Sequence, residues 1–263
     1  MPEQMCKYLV VNVPARDALM SLTSKKIKVA NKKRSLFQAN VLTQARDSLT
    51  RDQRRIFYLM LDTISVKGWP EGGVFRIDHS FYAHTYQLSE KEAREDIRRA
   101  MADFRGKEIT LYEKWEGQGT VVRDMSWTTS RWTSEERGIY QIKINSDLRE
   151  YMEPFAHELP FTTYKLEQVS RIPSKYSMKL LEALSQFKST GFFAIRLEDL
   201  RERWELPASY EKWSLLKARV LDPALADLRK IEEFRTVTMV EKREGDSRNG
   251  KVLSVAFTFN TLE

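Results

Sequence analysis

The chain has 263 residues, 41% of them apolar, which is enough for two globular domains that each bury a core. Its net charge of +7 favours an anionic partner. The single cysteine, Cys6, forms no internal disulfide, and the apolar run at 8–13 falls far short of the ~18–20 residues that span a bilayer, so a cytoplasmic protein with no membrane partner is expected.

Residues 1–35 read as an extension ending in a basic cluster, Lys25, Lys26, Lys28, Lys32, Lys33 and Arg34, an arm suited to touching phosphates. A helix is expected over 38–49. Thr50 then caps a second helix, with Gln53 completing a capping-box pattern and Ile56, Leu59, Met60 and Ile64 on its buried face. Gly68, Pro70, Gly72 and Gly73 mark a loop, Val74 to Ile77 a strand, and 78–88 a helix. Ser89 caps the next helix with Glu92 at its third position. There Ala93, Ile97, Ala100, Met101 and Phe104 make an apolar stripe, and Lys91, Arg94 and Arg98 a basic one. Glu90, Glu92, Glu95 and Asp96 are interleaved with these cations and would repel phosphate, so this helix suits weaker or indirect contact. Strands near 108–114, 120–128 and 138–145 follow, and three helices followed by a β-hairpin is the order of a winged helix. A short helix near 146–153 and an ordered connector over 161–172 lead onward.

The second unit opens with a helix from about Pro173 that buries Met178, Leu181 and Ser185. A strand over 192–197 follows, then a helix over 198–206 ended by Pro207. The next helix is expected to start near Ser209 and to be kinked or split at Asp222-Pro223, a helix-start signal. Strands over 235–243 and 252–260 close the unit around Asn249-Gly250, a hairpin signal. This order repeats that of the first unit. Val74-Phe75-Arg76-Ile77 is answered by Phe192-Phe193-Ala194-Ile195, Met101-Ala102-Asp103-Phe104-Arg105 by Leu225-Ala226-Asp227-Leu228-Arg229, and the strand ending in Glu113-Lys114 by the one ending in Glu241-Lys242. The expectation is an α+β chain of two tandem winged-helix domains, over 36–160 and 161–263.

Catalytic chemistry finds no foothold. His79, His84 and His157 lack metal-ligand spacing, no glycine-rich phosphate loop or Gly-x-Ser-x-Gly elbow occurs, and Glu135-Glu136 and Glu232-Glu233 read as solvated charges. No catalytic residue, metal or cofactor is expected. A DNA-nicking enzyme with a tyrosine nucleophile would need a metal motif that is absent from the sequence.

The basic residues instead suggest DNA. In a helix-turn-helix the second helix enters the major groove by its N-terminal part. Ser209, Tyr210, Lys212, Lys217 and Arg219 would lie in that part of the third helix of the second unit, with Lys217 and Arg219 as the leading candidates for DNA contact and Trp213 as core. Lys242, Arg243, Arg248 and Lys251 would lie on its wing.

Several longer segments are more specific: Leu49-Thr50-Arg51-Asp52-Gln53-Arg54-Arg55, Gly106-Lys107-Glu108, Arg137-Gly138-Ile139-Tyr140, Lys175-Tyr176-Ser177-Met178-Lys179-Leu180-Leu181-Glu182, Leu206-Pro207-Ala208-Ser209-Tyr210 and Phe257-Thr258-Phe259. On these the chain resembles the iteron-binding plasmid replication initiators, the Rep family, of the F-plasmid type. The resemblance implies two winged helices about a pseudo-twofold. It implies monomers on double-stranded origin iterons, and dimers that repress their own gene at an inverted repeat. The C-terminal domain would carry the main contact, and the N-terminal one accessory contacts and the dimer interface. The implied partners are origin DNA, a second copy, and the host replication initiator and replicative helicase. The family's basic triplet falls on Lys217, Ala218 and Arg219, where Ala218 breaks it; Asp222-Pro223 and the long extension also depart from the pattern. A dedicated repressor of the same fold is the alternative.

Overall fold

A computed structural model describes residues 34–260 apart from 116, 118, 135, 137 and 247–249. It begins with strand β1 (Ser35–Ala39), a four-residue helix α1 (Asn40–Thr43) and a short strand β2 (Arg46–Asp47). The helix expected over 38–49 is therefore not formed. Leu36 and Ala39 are fully buried in extended backbone, and Gln38 is tied by its amide to the Thr43 and Tyr164 hydroxyls at 2.9 and 2.8 Å. A strand and a turn facing one core produced an apolar spacing that imitates a helix.

Helix α2 (Arg51–Lys67) starts at the Thr50 capping box, with Thr50 Oγ1 accepting the Gln53 N–H at 3.3 Å and Gln53 Oε1 accepting the Thr50 N–H at 2.8 Å. It ends at Gly68, whose φ of 76° is a left-handed conformation that a side chain would resist. Strand β3 (Val74–Ile77) leads into α3 (His79–Tyr86), capped by Asp78, and α4 (Glu90–Asp103) is capped by the reciprocal Ser89–Glu92 pair.

Four strands follow where three were expected: β4 (Glu108–Trp115), β5 (Gly119–Ser126), β6 (Thr128–Ser134) and β7 (Ile139–Ile144). The break between β5 and β6 is at Trp127. Its ring is buried, its N–H donates to Lys107 O at 3.0 Å and its carbonyl accepts from Asn145 N at 3.1 Å. The chain therefore leaves one sheet and enters another. The first has the order β2-β4-β5 and the second β3-β7-β6.

Helix α5 (Arg149–Met152) and strand β8 (Phe161–Lys165) come next, followed by α6 (Leu166–Ser170). Strand β8, expected at the start of the second unit, pairs instead with β1, Ser35 opposite Lys165 through Ala39 opposite Phe161. The second unit then runs α7 (Lys175–Gln186), β9 (Phe192–Arg196), α8 (Leu197–Arg203) and α9 (Trp213–Leu216). A π turn at Lys217–Leu221 leads to α10 (Asp222–Leu228), and β10 (Thr238–Arg243) and β11 (Val252–Thr258) close the unit.

The repeat seen in the sequence is a repeat of topology. In each unit a helix is followed by a strand, two helices and a hairpin, and the first strand pairs with the last: β3-β7-β6 in one, β9-β11-β10 in the other. Both units are winged helices, and the chain is α+β. One detail of the repeat is corrected by the register. The strand ending in Glu113-Lys114 belongs to the inserted β4–β5 hairpin, so the counterpart of β10 is β6.

A buried ionic cluster joins the two units. Arg54 on α2 reaches Asp47 at 2.7 Å and Glu182 on α7 at 3.0 Å. Tyr58 donates to Glu182 at 2.6 Å, and Lys179 donates to the Asp47 carboxylate at 3.0 Å and to the Asp47 and Arg203 carbonyls at 2.9 and 2.8 Å. Burial would raise the Asp47 carboxyl, but Arg54 and Lys179 outweigh it and hold it at about 2. Burial also pushes the Tyr58 hydroxyl well above its ordinary value.

Candidate nucleic-acid interface

The second unit presents its third helix later in the sequence than expected. Ser209 and Tyr210 lie in a 3₁₀ turn (Ala208–Tyr210), Lys212 stands at the N-cap, and the helix proper opens at Trp213. Three of the five residues placed in the N-terminal half of this helix therefore precede it. Pro207 and the Tyr210 N–H close the turn at 2.9 Å, and Arg201 on α8 donates to the Tyr210 and Glu211 carbonyls at 3.4 and 2.8 Å. The Tyr210 ring is half-buried, edge-on to Tyr176 at 6.4 Å. Arg201 thus fixes the turn that leads into the helix at Trp213. The sequence reading missed it because a side chain that ligates backbone carbonyls leaves no charge pattern.

The Asp222-Pro223 step does not split the helix. Leu221 and Asp222 keep helical angles, and the Asp222 N–H donates to Lys217 O, five residues back. Proline has no N–H to give and its ring crowds the carbonyl one turn earlier; a wide π turn just before it relieves both. That turn also places residues five apart above one another. Lys217 reaches Asp222 at 3.1 Å, and Glu241 on β10 stands 4.0 Å from the same ammonium. Lys217, a leading candidate for DNA contact, is therefore engaged by two carboxylates.

Leu216, Val220, Leu221 and Ala224 form the buried side of this helix, and Trp213 is half-buried against the core as expected. The outward side carries Ser214, Leu215, Ala218 and Arg219. Arg219 is exposed and makes no hydrogen bond or ion pair among the described residues. Lys212, Lys242 and Lys251 are exposed on the same terms. Arg243 differs: it pairs with Glu241 and donates to Gly250 O at 3.0 Å, so it braces the wing from within. Arg248, Lys32 and Lys33 lie outside the described residues.

In the first unit the equivalent helix is α4. Asp96 and Arg99 turn toward α2, where Asp96 meets Arg55 at 3.0 Å and Arg99 meets Asp52 at 2.7 Å. Asp96 is therefore buried and neutralised and does not oppose phosphate. Glu92 serves the Ser89 cap, and Glu90 reaches Arg94 at 3.7 Å and His79 at 3.0 Å. Lys91, Arg94 and Arg98 are exposed along one side of α4. Arg34 is held on the protein surface by Asp62 at 2.6 Å, over the Phe81 ring, and does not hang in solution as part of an arm. Among the described residues no cluster of three or more His, Cys, Asp or Glu could hold a metal, and no helix is long and apolar enough to cross a membrane.

Residues 35–185 match the family model described as "Initiator Replication protein, WH1", and residues 196–259 match that described as "Initiator Rep protein, WH2". An uncharacterized 27.6 kDa protein of Escherichia coli is 28% identical over 215 residues, covering 76% of this chain and 87% of its own length. Among solved structures, a Pi initiator protein crystallised in complex with iteron DNA has a similar fold. Its TM-score is 0.70 at 20% identity, over 88% of this chain and 99% of that one.

Proposed function

Because the chain belongs to the family of Rep replication initiators built on WH1 and WH2 domains, we propose that it is a plasmid initiator that binds double-stranded origin DNA sequence-specifically. Monomers occupy directly repeated iterons and promote opening of the origin. Dimers occupy an inverted repeat and repress the chain's own gene. The second unit makes the main base contact; the first adds accessory contacts and the dimer interface. The protein acts by binding and bending DNA, and bending costs roughly 1–6 kcal/mol per site, offset by the contacts it brings. Host initiator and replicative helicase are recruited to the opened segment, in the cytoplasm.

The observation that carries this reading is the outward face of the 213–228 helix: Arg219 is without a partner among the described residues, and Lys212, Lys242 and Lys251 are exposed on the same unit. An arginine so placed suits the guanine O6/N7 edge, and lysines beside it suit phosphates. The fold shared with an initiator solved on iteron DNA supports the same placement.

The test is competition binding between origin repeats and random duplex at fixed salt, for the wild type and Arg219→Ala. Loss of discrimination in the variant with an unchanged melting temperature is expected. Unchanged discrimination would remove Arg219 from the site, and a wild type that prefers no origin sequence would remove the initiator reading.

A further inference from the structure

Leu215 is 40% exposed on the outward face of the helix that opens at Trp213. Ala218 lies three residues on and Arg219 four, so the three share that face. Lys217, between them in sequence, is held by Asp222 and Glu241 at 3.1 and 4.0 Å. The outward face thus sets an exposed leucine and a small alanine beside Arg219, with Lys212 and Ser214 at its N-terminal end.

Such a surface discriminates among the chemical groups on a major-groove floor. Phosphates and the polar edges of guanine, adenine and cytosine would lose water against Leu215 and gain no hydrogen bond in return. The C5-methyl of thymine is the apolar group that the groove offers. Ala218, one turn away, is small enough to let Leu215 and the helix backbone approach. It also leaves the middle of the Lys217-Ala218-Arg219 run without a charge.

We propose that Leu215, with Ala218 beside it, reads thymine C5-methyl groups next to the base pair contacted by Arg219, so each recognised repeat contains a thymine whose methyl is required. The proposal rests on the reading of the second unit as the DNA-binding module.

The experiment uses the full chain and the duplex it protects in origin footprinting, with each thymine replaced in turn by uracil, which lacks only that methyl. Wild-type affinity should fall about fourfold per methyl group lost at one or two positions and stay level elsewhere. Leu215→Ala should bind the normal duplex more weakly and lose its sensitivity to uracil at those positions; Leu215→Met should keep it. Leu215 is exposed, so a melting curve that matches the wild type separates the effect from misfolding. A wild type that discriminates origin from random DNA yet tolerates uracil everywhere would overturn this proposal alone. A uracil penalty unchanged in Leu215→Ala would also overturn it. A wild type without any sequence preference would overturn the DNA-binding reading beneath it.

Discussion

Lys217 and Arg219 are two residues apart, yet Lys217 meets two carboxylates and Arg219 meets no partner among the described residues. The sequence gives them equal standing, because a lysine and a carboxylate five apart fall on different sides of an α-helix. The π turn brings Lys217 and Asp222 to 3.1 Å, and no local pattern announces a π turn except the proline that follows it. Replacing Arg219 by alanine should cost about 1–3 kcal/mol of specific binding, the value of a bidentate base contact. Replacing Lys217 should cost clearly less, and competition binding of both variants at one salt concentration would show the order. Asp222→Ala leaves the Lys217 ammonium with Glu241 alone, at 4.0 Å, and removes a negative charge beside the proposed DNA-binding face. It should raise non-specific affinity and steepen the fall of log K with log salt by up to about one unit. An unchanged slope would mean that Lys217 does not face phosphate even when released.

Among the elements, those with side-chain caps were readable in advance and those fixed by distant partners were not. Thr50 with Gln53 and Ser89 with Glu92 announced helices that the structure contains, because a capping box is local chemistry within four residues. Thr50→Ala should lower stability by about 1 kcal/mol, measured as a shift in the urea midpoint with the slope unchanged. The opening strand carries no local signal because its partner, β8, lies more than a hundred residues away. The expected strand over 120–128 runs through the break at Trp127, which is a buried tryptophan and not a glycine or proline, and strand β6 beyond it has no place in the expectation. At the candidate interface the residue types were legible and their positions were not. Ser209, Tyr210 and Lys212 precede the helix because the Pro207 turn, pinned by Arg201, takes up four residues first.

Across the whole molecule the two winged helices are joined by the Asp47–Arg54–Glu182–Lys179 cluster, and the β1–β8 pairing brings the chain back to its start before the second unit begins. Arg54→Met would leave two buried carboxylates with one fewer cation. Loss of about 3–5 kcal/mol of stability is expected by urea unfolding, the usual cost of breaking a buried pair. The same cluster sets an acid limit. The Asp47 carboxyl is held at about 2 in the folded chain against 3.8 for the free side chain, so the folded state binds fewer protons between these values. Its contribution is complete above pH 3.8 and is lost as pH falls toward 2. Asp47→Asn should be less stable at neutral pH and should lose less further stability across that window; an equally steep loss in the variant would assign the acid limit to other carboxylates.

The central claim concerns what the whole chain does on DNA, and the most direct measurement is footprinting on the plasmid DNA flanking its own gene, at controlled salt, with sedimentation of each bound species. The expected result is monomers protecting a row of direct repeats, one per repeat, with a separate inverted repeat protected by dimers. Dimers on a single inverted repeat, with no array of direct repeats bound, would contradict the initiator account and leave a repressor built on the same pair of winged helices.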